Sequence, residues 1–284
     1  MRWPLGRRCV VWGCAVFLLF AGSVSDVGAM RAALSGSADA EVAAPEDQEA
    51  VRTVADRGRK RASGGDWGQM QRRFQGAFVL SAPRETRKVA LTFDDVPDAR
   101  YTYQVLNVLK QYRVHATFFV VGSRVRGNPA IVRRMHRDGH AIGNHSYNHP
   151  AFSRLKLSDM KDQIARTEAA VRDTVGFAPR FIRPPYGEIT SRQMAWARAN
   201  GYTVVNWDVD SLDWRQLKAQ TVLNNVTKSV KPGSIILLHA GGGKGQNLHG
   251  TVEALPKLIK WLRSNGYEPV TIPELLGQSE SRRS

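Results

Sequence analysis

From Arg87 onward the chain alternates between short apolar runs and amphipathic stretches. Lys88–Phe93 (KVALTF), Ala116–Val121 (ATFFVV), His140–Gly143, Arg180–Arg183, Tyr202–Trp207, Ser234–His239 (SIILLH) and Pro269–Ile272 read as strands. Between them, helical periodicity predicts helices over Thr102–Tyr112, from Asn128-Pro129 to just before Gly139, and from a Ser158 cap to Gly176. Further helices are predicted over Thr190–Asn200, stopped by Gly201, over Gln216–Val230, ended by Pro232-Gly233, and over Thr251–Asn265. Several strands are apolar throughout, as strands of a parallel sheet covered by helices must be. The predicted fold is α/β, an incomplete (β/α) barrel with about seven parallel strands and outer helices; an open sheet is the alternative.

The N-terminal part has a different character. Arg2, Arg7 and Arg8 precede an apolar stretch from Cys9 to Ala21, and Val27-Gly28-Ala29 supplies small residues, the pattern of an export signal. The apolar core is shorter than the ~20 residues of a membrane-spanning helix, so residues 1–29 are expected to be a signal peptide or an N-terminal anchor. Residues 30–75 lack sustained periodicity and are expected to be a flexible linker, leaving 76–284 as the folded domain. Cys9 and Cys14 are the only cysteines of the chain. A processed protein would therefore carry no disulfide, cysteine ligand or cysteine nucleophile.

Charge narrows the partners. The chain carries a formal net charge of +16, and from Gly76 onward 30 Lys and Arg face 17 Asp and Glu, a net +13. Such a surface favours encounter with polyanions; nucleic acid is one candidate, and an anionic cell wall or a membrane surface fits equally well. No feature specifies nucleic acid; the basic run Arg57–Arg61 reads as a solvated segment. The expected location is extracytoplasmic: secreted, wall-associated or tethered by the N-terminal segment.

The polar residues fall on one rim of this frame. Asp94 and Asp95 follow the first predicted strand, and His145 and His149 the third. Arg183 ends the fourth, Asp210 and Asp213 follow the fifth, and His239 ends the sixth. Carboxyl ends of parallel strands are where such folds place their active sites. Two histidines four apart share a face if HSYNH is a helical turn, and one carboxylate from Asp95 completes a two-His, one-carboxylate set suited to Zn²⁺, Fe²⁺ or Co²⁺. Alternatively, the histidines are hydrogen-bonded loop residues and the aspartate pair caps a turn. Adjacent carboxylates do not both ionise easily without a cation. In the metal reading Asp95 ligates, Asp94 acts as base and Arg183 orients it. His239 reads as a core histidine or as a general acid tuned by Asp213, and Tyr186 and Trp214 as core fillers or as aromatic faces for sugar rings.

In these residues the chain resembles the polysaccharide deacetylase family, the NodB-homology domain of carbohydrate esterase family four. Thr92–Pro97 (TFDDVP), His145–His149 (HSYNH), Arg183–Tyr186 (RPPY), Asp210–Trp214 (DSLDW) and Leu237–His239 (LLH) match its motifs in order, and the likeness runs from about Lys88 to Leu276. The C-terminal stretch is most similar to the bacterial branch containing sporulation and peptidoglycan deacetylases. The resemblance implies hydrolysis of N-acetyl groups on amino-sugar polymers such as peptidoglycan or chitin, with release of acetate. It implies one divalent metal, zinc foremost, with Co, Fe, Mn or Ni as alternatives, held by Asp95, His145 and His149. Asp94, His239, Arg183, Asp213 and Tyr186 would be catalytic, the last through its backbone N–H. Tyr186, Trp214 and Leu237 would bind substrate. Two positions depart from the family: Val96 replaces a usual glycine, and Ala240 a usual aspartate. Pro97 biases Val96 to extended backbone, so the site is expected to survive, with the valine side chain narrowing the acyl pocket and Ala240 altering contacts near His239. The runner-up is a catalytically impaired cell-wall or polyanion-binding protein on the same fold.

Overall fold

The computed structural model describes residues 65–282. The expected signal segment and the linker up to residue 64 lie outside the described residues. The first described element is helix α1 (Gly65–Arg73), inside the stretch expected to be linker. Met70 and Phe74 are buried in a cluster with Phe152, Ile182 and Met194, and burying those side chains gives the segment a reason to order.

Strands β1 (Phe78–Val79), β2 (Lys88–Val96), β3 (Thr117–Val120), β4 (Ala141–Asn144), β5 (Phe181–Ile182), β6 (Thr203–Val205), β7 (Val209–Asp210), β8 (Ile235–His239) and β9 (Glu268–Val270) form one parallel sheet. Its order is β1-β6-β5-β4-β3-β2-β8-β7, with β9 also pairing β2. The sheet curls into an incomplete (β/α) barrel. An antiparallel bridge joins Ser81, just past β1, to Ser234, just before β8. The short β1 and β7 exceed the predicted set.

Helices α2 (Thr102–Tyr112), α3 (Gly122–Gly127), α4 (Pro129–Arg137), α5 (Leu157–Val175), α6 (Ser191–Ala199), α7 (Ala219–Thr227), α8 (His249–Ser264) and α9 (Ile272–Leu276) join the strands. The outer strand faces, with Leu91, Phe93, Phe118, Ile236 and Leu238, pack against residues of these helices such as Leu106, Leu258 and Leu262 in one core cluster. The predicted stops at Gly176 and Gly201 hold, both at positive φ. Ser158 does not cap α5: the preceding Lys156 takes the N-cap position without a side-chain bond. Thr190 is a true cap, its hydroxyl accepting the Gln193 N–H while the Gln193 side chain returns to the Thr190 N–H. Helix α7 is shorter than predicted because Gln216 adopts the left-handed conformation that ends the preceding turn.

Candidate active site

Strand β2 sets the geometry. On one face Val89, Leu91 and Phe93 enter the core beneath the helices, so Thr92 and Asp94 turn to the barrel interior. Beyond Phe93 the register against β3 slips: Phe93 pairs with Phe118, but Val96 pairs with Val120. Three steps on β2 oppose two on β3, a β-bulge that re-aims side chains. Asp95, at φ 64, absorbs it; Asp is among the few residues that tolerate this region. The bulge lets consecutive Asp94 and Asp95 both reach the site, where strict alternation would send one into the core. It also returns Val96 to the outer side. Val96 is fully buried in the helix-facing core, so it is no wall of an acyl pocket, and positive φ falls on Asp95 rather than Val96. The Asp95 carbonyl accepts a bond from Arg124 Nη1 at 2.5 Å, and Gly241 lies so close that a β-carbon there would meet it at 2.0 Å.

His145 and His149 sit on an irregular loop, not a helical turn. Ser146 and His149 are both at positive φ, because the loop is tied to side chains rather than to its own helix ladder. Asn144 Oδ1 accepts the Ser146 N–H, Ser146 Oγ the His149 N–H, and Gln163 Oε1 the N–H groups of Tyr147 and Asn148. The loop nonetheless brings both imidazoles to Asp95. His149 Nε2 is 3.3 Å and His145 Nε2 3.8 Å from Asp95 Oδ1. Donors of a tetrahedral site with bonds near 2.0–2.2 Å stand about 3.4 Å apart, so the set fits one divalent cation. The protonation state fits too. His145 Nδ1 lies 2.7 Å from the Arg183 carbonyl and donates to it, which leaves the Nε2 lone pair facing Asp95. Burial, helped by neighbouring His149, depresses its pKa to about 3, so the ring is neutral.

Arg183 is wholly buried across the barrel interior. Nη1 donates to Asp94 Oδ1 and Thr92 Oγ1, both at 2.8 Å, Nε to the Val205 carbonyl and Nη2 to that of Asn206. The guanidinium also lies 4.1 Å from the Phe119 ring centroid. Burial pushes the Asp94 carboxyl up, with Arg183 pulling against it. Its second oxygen stands 3.8 Å from His145 Nε2. Asp94 is thus a fixed, partly basic carboxylate beside the candidate metal position.

His239 follows from strand register, since it pairs with Asp94 across β2 and β8. Its Nδ1 bonds Asp213 Oδ1 at 2.8 Å, while Asp213 Oδ2 accepts the His239 N–H and the Thr251 hydroxyl, each at 2.8 Å. Burial lowers the imidazole pKa, but the Asp213 charge and hydrogen bond outweigh it and raise the value to about 9. His239 is therefore protonated at neutral pH, as a general acid requires. Leu237 lies on the same strand face one alternation below, only 3% exposed, a floor beneath His239 rather than an open contact surface. Ala240 is buried in the helix-facing core cluster, with Val96.

Two further residues sit on the rim. Tyr186, 60% exposed, presents its ring edge-on to His149 at 4.9 Å. It adopts φ 60 in the turn Pro185–Gly187, and its backbone N–H has no acceptor among the described residues. Trp214 lies in the turn Asp213–Arg215, half-buried, its carbonyl accepting from Gln246. Asp210 accepts the Leu212 N–H and shapes that turn. Sequence reasoning missed Thr92, Asn206, Thr251 and Arg124, which hold the functional groups in place. Only Thr92 left a signal, a polar residue on the inner face of an apolar strand two before Asp94.

Comparison with known proteins agrees with this geometry. The family described as "Polysaccharide deacetylase" matches residues 81–205. The chain is 42% identical over 207 residues to a peptidoglycan-N-acetylglucosamine deacetylase of Bacillus cereus, covering 73% of this chain and 74% of that one. It is 38% identical over 199 residues to a chitooligosaccharide deacetylase of Bradyrhizobium, covering 67% and 91%. The crystal structure of the Bc1960 peptidoglycan N-acetylglucosamine deacetylase superposes with a TM-score of 0.71 at 42% identity, over 72% of this chain and 95% of that one. With its bulged aspartate pair, histidine loop, buried arginine and Asp213–His239 couple in one barrel mouth, this chain belongs to the polysaccharide deacetylase family.

Proposed function

We propose that this protein is a metal-dependent N-deacetylase that removes acetyl groups from the N-acetylglucosamine of peptidoglycan outside the cytoplasm, with zinc as its metal. The observation that carries the reading is the convergence of Asp95, His145 and His149 ligand atoms, all within 4.8 Å of one another, beside the Arg183-held Asp94 and opposite the protonated His239. The names of the relatives support the substrate class, and the basic, then apolar N-terminal sequence supports export. A divalent cation held by Asp95, His145 and His149 would supply Lewis acidity toward the acetyl carbonyl and the attacking water.

The chain's own groups do the rest. Asp94, kept oriented by Arg183, takes the proton from the attacking water. The Tyr186 N–H, without an acceptor among the described residues, donates to the oxyanion that develops on the acetyl carbonyl oxygen, a contribution of ~3–4 kcal/mol for such a donor. His239 Nε2–H donates to the departing amine, and Asp213 stabilises the imidazolium until then. Acetate and a free amine result.

The decisive experiment is acetate release from peptidoglycan fragments and from chitooligosaccharides, with and without chelator and added Zn²⁺. Release should require metal and favour the peptidoglycan fragments. Asp94→Asn should keep stoichiometric metal yet turn over ~10²–10⁴-fold more slowly, the range for a lost general base. Chelator-resistant release, or equal metal loss in Asp94→Asn and Asp95→Asn, would refute the assignment of roles.

A further inference from the structure

The turn that carries the Tyr186 N–H is conformationally expensive. Tyr186 (φ 60) and Gly187 (φ 70) are consecutive left-handed residues, and a non-glycine residue there is strained unless its surroundings hold it. Within the turn the Gly187 N–H bonds the Pro184 carbonyl and the Glu188 N–H that of Pro185. Asn206 Nδ2 holds the Gly187 carbonyl at 3.0 Å. These bonds fix the chain on either side of Tyr186 but leave the exposed flank of Gly187 to be covered.

Trp67 covers it. A β-carbon at Gly187 would stand 2.5 Å from Trp67 Cζ2, 3.1 Å from Asn206 Nδ2 and 3.2 Å from Trp207 Cη2. Glycine is thus required by close approach as well as by φ, and the indole lies flush against the turn. Trp67 meets Trp207 edge-to-face at 5.1 Å and 82°, and Trp207 in turn lies 5.6 Å from the Arg183 guanidinium. The helix beneath is anchored by buried Met70 and Phe74.

We infer that Trp67 is a positioning residue for the reaction: its indole clamps Gly187 and so holds the Tyr186 N–H aimed at the developing oxyanion. Helix α1 is then part of the active-site scaffold, although it lies well before the first strand bearing a catalytic group. The inference rests on the deacetylase reading above. It differs from a simple core role in what it affects, because an N–H aimed at the oxyanion acts in the transition state and hardly on substrate binding.

The test uses the full chain loaded with Zn²⁺ and an N-acetylglucosamine oligomer. Removing one oxyanion donor costs ~10²–10³ in kcat, so misaligning it in Trp67→Ala should lower kcat roughly tenfold or more with KM within about twofold. Trp67→Phe, which keeps an aromatic edge, should recover most of kcat. Amide hydrogen exchange over residues 183–190 should quicken in Trp67→Ala. Trp196→Ala, which removes an indole packed on the same apolar cluster but against Tyr202 rather than among the atoms nearest Gly187, should lower the melting temperature and leave kcat alone. If Trp67→Ala does not fold, Trp67→Leu carries the same comparison. The inference fails if kcat stays within twofold, if exchange over 183–190 is unchanged, or if Trp196→Ala loses as much kcat. Should the wild type itself release no acetate, the deacetylase reading falls, and the exchange data alone decide whether Trp67 holds the turn.

Discussion

Asp213 commits both carboxylate oxygens, one to the His239 ring and the other to the His239 backbone and Thr251. The ring is therefore oriented by the same group that keeps it charged. With its pKa near 9, His239 holds its proton through the neutral range and loses it as pH rises past that value, so the basic limb of kcat should lie near pH 9. Asp213→Asn removes the charge that opposes burial, and the imidazole should fall to its ordinary ~6.5 or below. At pH 8 the variant should then lose roughly tenfold or more in kcat, with a distinctly smaller loss near pH 6. A kcat profile from pH 5 to 10 checks this, and an unshifted basic limb would remove His239 from the acid role.

The β2 bulge is the element on which the site turns. Asp94 hangs from a regular strand position, Asp95 from the inserted one, and the core on the far side pins both by holding Phe93 and Val96. Val96 therefore matters for stability rather than for choice of acyl group. Val96→Ala should cost about 2 kcal/mol, within the 1.5–3 kcal/mol typical of burying such a side chain. Its ratio of acetyl to propionyl release should equal that of wild type. Denaturant melts and matched acylated substrates measure the two quantities, and a changed ratio at unchanged stability would put Val96 back in the pocket.

At the scale of the whole molecule, the mouth of the barrel carries the chemistry, and the C-terminal segment is bonded to the chain near the starts of β4 and β5. Strand β4 pairs with β5 only at Asn144 and Ile182, which leaves the lower edge of β4 open. Glu280 fills it, its carboxylate accepting the Ile142 N–H at 2.6 Å, while bonds from Arg180 and Arg282 fasten the backbone around it. Burial raises the Glu280 pKa from 4.5 to about 7, against the pull of the Ile142 bond. The folded state thus binds this proton more tightly than the unfolded chain. Its stabilising contribution is full below pH ~4.5 and is lost as pH rises through 7, a change on the order of 3 kcal/mol at most. Glu280→Gln keeps the acceptor without the charge. It should flatten this part of the stability profile and be the more stable form at pH 8, as urea melts at pH 5 and pH 8 would show. Parallel profiles would mean that the carboxyl titrates normally.

The sequence by itself determined the alternation of strands and helices, the barrel class and the rim on which Asp94, Asp95, His145, His149, Arg183, Asp213 and His239 gather. These depend on local periodicity and on polar residues ending apolar strands, both written along the chain. It could not show how each group is aimed. The left-handed turn at Asp95 is held by Arg124 and the close approach of Gly241, and the histidine loop by Gln163 from α5. The Tyr186–Gly187 turn is held by Trp67 and Asn206. Trp67, Met70 and Phe74 do recur at helical spacing, yet about two turns of apolar residues amid glycine and charge cannot be told from a linker until the surface that buries them is known. Val96 reads as a pocket residue because it stands where the family usually has glycine, next to the aspartate pair, and the inserted residue turns its side chain to the core instead. Each of these features arises from contacts between segments far apart in the chain, and only the closed barrel brings them within reach.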